Sequence, residues 1–168
     1  MKSIAMFRNV IVLAALGASA GLALAAGSKT TDIAVTASVV SNCLVSTAST
    51  GLSFGVYDPL AGDDNVASTT FKVKCSKNAG YTIGLSAGGG AAEAARKMAL
   101  TGELAMNYAI YSDSGRTTNW GATAGAATGV GSGLDTENTV NVYGKIPKNQ
   151  YNVGVGAYAD TVVATVTY

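Results

Sequence analysis

The sequence predicts an all-β domain, a sandwich or a barrel, behind a secretory leader. Three observations carry this. Apolar and polar residues alternate in short runs, and clusters of Gly, Asn, Asp and Ser separate those runs. Thr, Val, Ala, Tyr and Gly dominate, and Pro appears only at Pro59 and Pro147. Even spacing of short strands with turn signals between them is the pattern of a sandwich or barrel.

The leader comes first. Lys2 and Arg8 make a positive n-region, no charge occurs from Asn9 to Ser28, and Val10 to Leu16 is an apolar core. Ala23-Leu24-Ala25 supplies small residues at the positions a signal peptidase reads, so cleavage is expected after Ala25. A retained membrane anchor is the weaker alternative, because Gly and Ala interrupt the stretch and a cleavage site ends it. The chain then divides into a leader (1–25), an N-terminal strand segment (26–41) and a β domain (42–168). About 140 residues beyond the leader suit one domain with a real core.

The first element is an alternating strand over Thr30–Val40. Ile33, Val35, Ala37 and Val39 share one face, with Asp32, Thr36 and Ser38 on the other. Further strands are expected at Leu44–Ser46, Leu52–Phe54, Ser68–Cys75, Tyr81–Ser86, Ala105–Tyr111, Thr139–Lys145 and Tyr158–Tyr168. Val56 to Asn65 is a turn-rich connection around Asp58-Pro59. After three glycines, Ala91 to Met98 is Ala-rich and reads as a short helix. Trp120 to Asn138, rich in Gly, Ala and Thr, reads as one long mobile loop with a short strand inside. In the last strand Val162, Ala164, Val166 and Tyr168 share a face, and the sequence ends within it. A strand with nothing after it leaves its outer edge uncovered, which native proteins normally avoid. One strand is spare at the front and one is missing at the back, which points to strand exchange between subunits.

Composition excludes several functions. Eleven Lys and Arg face ten Asp and Glu, with Lys2 and Arg8 in the leader. A nearly neutral chain without a basic run has no nucleic-acid footprint and no strong pull toward an anionic membrane surface. Histidine is absent. That removes Ser-His and Cys-His activation, imidazole proton shuttles and His-based zinc sites. No cofactor motif is present; the Gly-rich stretches lack both the GK[ST] of a phosphate loop and a dinucleotide fingerprint. Cys43 and Cys75 are the only cysteines. An even pair in an exported chain reads as a disulfide.

Taken in order, several pieces resemble the spore coat protein U family, and within it the subunits of archaic (Csu-type) chaperone–usher pili. They are the alternating strand before a cysteine (Ile33 to Cys43), FGVYDP (Phe54 to Pro59) and FKVKC (Phe71 to Cys75). LAMNYAIYSD (Leu104 to Asp113), NWG (Asn119 to Gly121), YGKIP (Tyr143 to Pro147) and the closing Tyr158 to Tyr168 strand follow. The resemblance implies an incomplete immunoglobulin-like sandwich lacking its last strand. A periplasmic chaperone lends a strand during export, and the next subunit's N-terminal strand replaces it at an outer-membrane usher. The resemblance thus implies Ile33, Val35, Ala37 and Val39 as donor residues and Val162, Ala164, Val166 and Tyr168 as the edge that receives a strand. It also implies identical or related subunits as partners and a place in a cell-surface pilus. The sequence departs from the family after YGKIP, where Lys148-Asn149-Gln150 stands in place of the usual Gly-Gln pair.

Other chemistry is weaker. Asp58, Asp63 and Asp64 share a loop but lack the alternating ligands and closing Glu of an EF-hand, so turn formation explains them better. Glu93 and Glu103 have no aromatic platform of the kind a glycosidase pair needs. Trp120 reads as a buried or loop-anchoring aromatic before it reads as a sugar platform. Two alternatives from other classes stand beside the pilus subunit: a small outer-membrane β-barrel and a monomeric secreted carbohydrate-binding sandwich. The chain is not expected to be an enzyme.

Overall fold

The computed structural model describes residues 27–168; the expected leader and Ala26 lie outside the described residues. The chain divides between Ala37 and Ser38. Residues 27–37 carry no strand and are exposed.

Residues 38–168 are all-β, with one 3₁₀ turn at Glu93–Ala95. The strands are β1 (Cys43–Thr47), β2 (Asn65–Cys75), β3 (Gly80–Leu85), β4 (Arg96–Leu100), β5 (Glu103–Tyr111), β6 (Ala127–Val130), β7 (Asn138–Ile146) and β8 (Ala164–Thr167). They form a five-stranded sheet in the order β1-β2-β7-β5-β4 and a three-stranded sheet in the order β6-β3-β8. Every pairing is antiparallel. The longest joins β2 to β7, from Asn65↔Ile146 to Val73↔Asn138.

Period-two alternation places the core. Phe71 and Val73 of β2, Met106, Tyr108 and Ile110 of β5, and Val140, Val142 and Ile146 of β7 are buried. Ile83 and Leu85 of β3 join the same cluster from the other sheet. Two buried side chains tie the sheets together. Trp120 is fully buried; its backbone N–H donates to Ile110 O at 2.8 Å and its Nε1 to Ile83 O at 2.7 Å. Arg96, at the start of β4, is 0% exposed. Its guanidinium donates to the carbonyls of Leu85 (3.2 Å), Ser86 (2.8 Å), Glu93 (2.8 Å) and Trp120 (2.7 Å). Burial pulls its pKa below the ordinary arginine range. The carbonyl dipoles replace the water the cation has lost.

The disulfide Cys43–Cys75 is formed, across the first rung of β1 and β2, with its Cα atoms 4.1 Å apart. One rung further out, Ser76 N donates to Asn42 O at 2.8 Å and Asn42 N to Ser76 Oγ at 3.1 Å.

Thr30–Val40 forms no strand within its own chain: residues 27–41 enter no ladder among the described residues, and a strand without a partner has no hydrogen bonds to hold it. Three expectations need correction. Leu52–Phe54 forms no ladder either, though Leu52 and Phe54 pack against the core. Ala91–Met98 is not a helix; after the 3₁₀ turn it becomes β4, because Arg96 is drawn inward and β5 supplies ladder partners from Arg96↔Tyr108 to Leu100↔Glu103. The last strand is shorter than Tyr158–Tyr168. Ala159 bridges to Ala99 of the first sheet, and the chain pairs with β3 of the second sheet only from Ala164. The short strand expected within Trp120–Asn138 is β6, paired with β3.

Candidate functional site

The two sheets leave their core open along one strip. Phe71, Met106, Tyr108, Ile110, Val142 and Ile146 of the larger sheet and Leu85 of β3 floor a groove of about 1000 Å³. Its walls are Ser49–Tyr57 on one side and Val153–Val162 with Ala164 on the other. Much of the lining is apolar. Its one charged residue among the described residues is Asp160.

The first wall is built by side chains without a ladder. Ser49 Oγ meets Thr69 Oγ1 of β2 at 3.1 Å. Leu52 and Phe54 lie over Gly144, an inward position of β7 where a Cβ would come within 2.6 Å of both. A side chain there would push both of them aside. Asn65 Nδ2 holds the carbonyls of Phe54 (3.1 Å) and Val56 (3.0 Å). Among the described residues, no backbone N–H from Leu52 to Tyr57 donates to another backbone carbonyl. These donors are open to an incoming strand.

The second wall is pinned by Asp160. Its Oδ1 accepts from Gly89 N at 2.8 Å and Thr161 N at 2.7 Å, and its Oδ2 accepts from the Tyr108 hydroxyl. Burial, reinforced by this carboxylate, pushes the Tyr108 pKa upward, so the hydroxyl keeps its proton and remains a donor. Gly88 sits at φ 65°, and a Cβ there would come within 2.2 Å of Asp160 Oδ2. The triple glycine thus serves the close approach of Asp160. β8 pairs with β3 on one side and, among the described residues, has no strand neighbour on the other.

The loop after Pro147 is well ordered by its own side chains. Asn149 takes the left-handed conformation, φ 64°, that a glycine adopts most easily. Gln150 then pairs its amide with both backbone groups of Asn107, at 2.8 Å and 2.9 Å. It extends the rung pattern beside β5 where Pro147 has no N–H to give.

The predicted receiving edge is divided. Val162 and Ala164 line the groove; Val166 packs against the core; Tyr168 is exposed and does not line it. The predicted donor residues are exposed: Ile33 by 82%, Val35 by 89% and Val39 by 92%, with Ala37 also exposed. Phe54 and Tyr57 had a signal in FGVYDP, and Leu52 in the strand expected at Leu52–Phe54; the roles of Tyr108 and Asp160 had none that local pattern reveals. Asp58 Oδ1 accepts from Leu60 N at 2.8 Å, as a turn aspartate does. Asp64 instead takes Lys148 N (3.0 Å) and the Lys145 ammonium (3.3 Å). Those contacts, the backbone N–H of Lys148 first, hold it below the usual carboxylate range. No group of three or more His, Cys, Asp or Glu suited to a metal ion occurs among the described residues.

A family model described as the Spore Coat Protein U domain matches residues 29–165. The chain belongs to the spore coat protein U domain family. It is 35% identical over 158 residues to Protein U of Myxococcus xanthus, covering 85% of this chain and 87% of that protein. Its fold is similar to a chain of the solved chaperone–tip adhesion subunit pre-assembly complex, CsuC–CsuE, from the archaic chaperone–usher Csu pili of Acinetobacter baumannii. That match has a TM-score of 0.55 at 21% identity and covers 77% of this chain and 40% of the other. This family member therefore spans about two fifths of the solved chain it matches.

Proposed function

We propose that this family member is a structural subunit of an extracellular chaperone–usher pilus, polymerising by donor-strand complementation and supporting surface attachment and biofilm formation. On this reading the domain is an immunoglobulin-like sandwich short of its last strand. The N-terminal segment of a neighbouring copy supplies it, with Ile33, Val35, Ala37 and Val39 turned into the groove. The observation that carries the proposal is the coexistence, in one chain, of an open apolar groove and an alternating segment without a strand partner.

The physical chemistry supports it. Burying Ile33, Val35 and Val39 contributes on the order of 5–9 kcal/mol before ordering costs. The N–H groups of the first wall and the outer edge of β8, neither paired to backbone among the described residues, offer ladder bonds to an incoming strand. An exposed groove of this kind is an aggregation hazard until filled, which is the reason for a periplasmic chaperone before assembly at an outer-membrane usher. The family description and the fold similarity to a complex from chaperone–usher pili support the same reading.

The barrel alternative fits less well, since the described strands form two open sheets and a membrane barrel must close. The test is gel mobility after gentle heating in detergent of material sheared from cells. A ladder of multimers is expected. A single heat-modifiable band that does not shear off would favour a barrel, and a monomer under all conditions a secreted lectin.

A further inference from the structure

We propose that the disulfide and the rung beyond it keep the donor residues of the N-terminal segment out of place in the groove of its own domain, so that they serve only a second copy. This rests on the donor-strand reading above and concerns what directs the strand to a neighbour.

The chain leaves the domain at the wrong end. β1 runs down β2 from Cys43, opposite Cys75, to Thr47, opposite Lys72. The same descent continues through Ser49, against Thr69, to Phe54 and Val56, held by Asn65 at the foot of β2. The groove lies along this lower part, and its highest lining residues on β2 are Phe71 and Thr69. Asn42, by contrast, is fastened to Ser76 above the disulfide.

Chain length then decides. At ~3.3 Å per residue, Phe71 lies ~17 Å and Thr69 ~23 Å below Ser76 along β2. Val39 is three residues from Asn42 and reaches ~10 Å at full extension. It falls short of even the upper mouth, before any allowance for the turn needed to reverse direction. Val35, at ~24 Å of contour, just attains the level of Thr69. Folded back, with residues spent on the turn, the segment would set Gly27–Asp32, and not Val35, Ala37 and Val39, along the lower groove where Leu52 and Phe54 lie over Gly144. A second copy meets no such limit, because its segment enters from outside. The Cys43–Cys75 bond thus acts as a leash as well as a staple.

The test lengthens the leash. A flexible insert of roughly 15 Gly and Ser residues between Val40 and Ser41 adds an r.m.s. span of about 21 Å. Intramolecular filling then has the advantage of effective concentration. The mature wild-type chain and the insert form, each with and without V35D, are refolded from denaturant with the disulfide intact. Mass is read by light scattering across a hundredfold range of protein concentration, and unfolding by thermal melt.

Wild type is expected to give multimers whose fraction rises with concentration, and the insert form a cooperatively melting monomer throughout, with V35D abolishing both. An insert form that gives only multimers, or does not refold, overturns the leash. So does a wild-type monomer that melts cooperatively and is lost with V35D; in both cases a V35D effect leaves the donor reading standing. Indifference to V35D in every form overturns the donor reading itself, and the leash with it.

Discussion

At the residue scale the groove is a matter of which side chains face it. Strand register moves every side chain to the opposite face with a slip of one residue. Val35→Asp therefore sets an unpaired carboxylate in an apolar groove, at a cost of several kcal/mol, whereas Thr36→Asp faces water. V35D is expected to abolish high-molecular-weight multimers sheared from cells and T36D to leave most of them. Equal assembly of the two would show that a neighbour does not use this face. Arg96 makes a different kind of prediction. Its planar fork reaches four carbonyls in a fully buried site, and lysine has neither the fork nor the donors to match. Arg96→Lys is expected to destabilise the domain by roughly 2–4 kcal/mol in denaturant unfolding, through carbonyls left without partners. A loss under about 0.5 kcal/mol, the range of ordinary surface changes, would show that water reaches these oxygens.

At the element scale the informative cases are the ones where local pattern and outcome part. The strands β2, β3, β5 and β7 follow their alternating apolar positions, because each has a core on one side and ladder partners beside it. Thr30–Val40 has as clean an alternation and no strand, since alternation states which face can be buried and not whether a partner exists. Ala91–Met98 has helical composition, yet a buried guanidinium and the edge of β5 outweigh a propensity of a few tenths of a kcal/mol per residue. On the donor-strand proposal, deletion of residues 26–40 is expected to leave a disulfide-bonded domain that folds with a periplasmic chaperone present and does not polymerise. If the truncated chain fails to fold with chaperone present, as judged by protease resistance, the segment belongs to its own core instead.

Across the whole molecule, stability depends on two termini of chemistry: a covalent staple and a narrow set of titrating groups. Removing the staple by Cys75→Ser is expected to cost roughly 2–5 kcal/mol, measured as a fall in the denaturation midpoint or as lost export; unchanged stability would mean that the β1–β2 rungs alone suffice. The pH profile follows from the carboxylates and Tyr108. Asp64, with the N–H of Lys148, and Asp113, with those of Thr118 and Thr117, are held below the usual range. Their contribution is complete above the unfolded value of about 4 and is lost as pH falls through the lower folded value. Tyr108 is raised, so its contribution is complete below about 10 and is lost only as pH climbs through the higher folded value. With no histidine in the chain, unfolding free energy should be flat from about pH 5 to 9. A step near pH 6–7 in denaturant titrations would contradict this.

What the sequence determined by itself was the all-β class, most of the strands that pair within one domain and the Cys43–Cys75 bond. Alternation and cysteine count are local properties, and each strand's buried face is written in its own residues. The tertiary structure alone decided that Leu52 and Phe54 lie on Gly144, that Arg96 is buried among carbonyls, and that Asp160 pins one wall of the groove to Tyr108. These contacts join residues far apart in the chain, and their strength comes from desolvation and mutual fit, which no single stretch of sequence carries. The open strip of core has the same origin: it is the space left when two sheets share one set of apolar side chains and no strand of the described residues covers it.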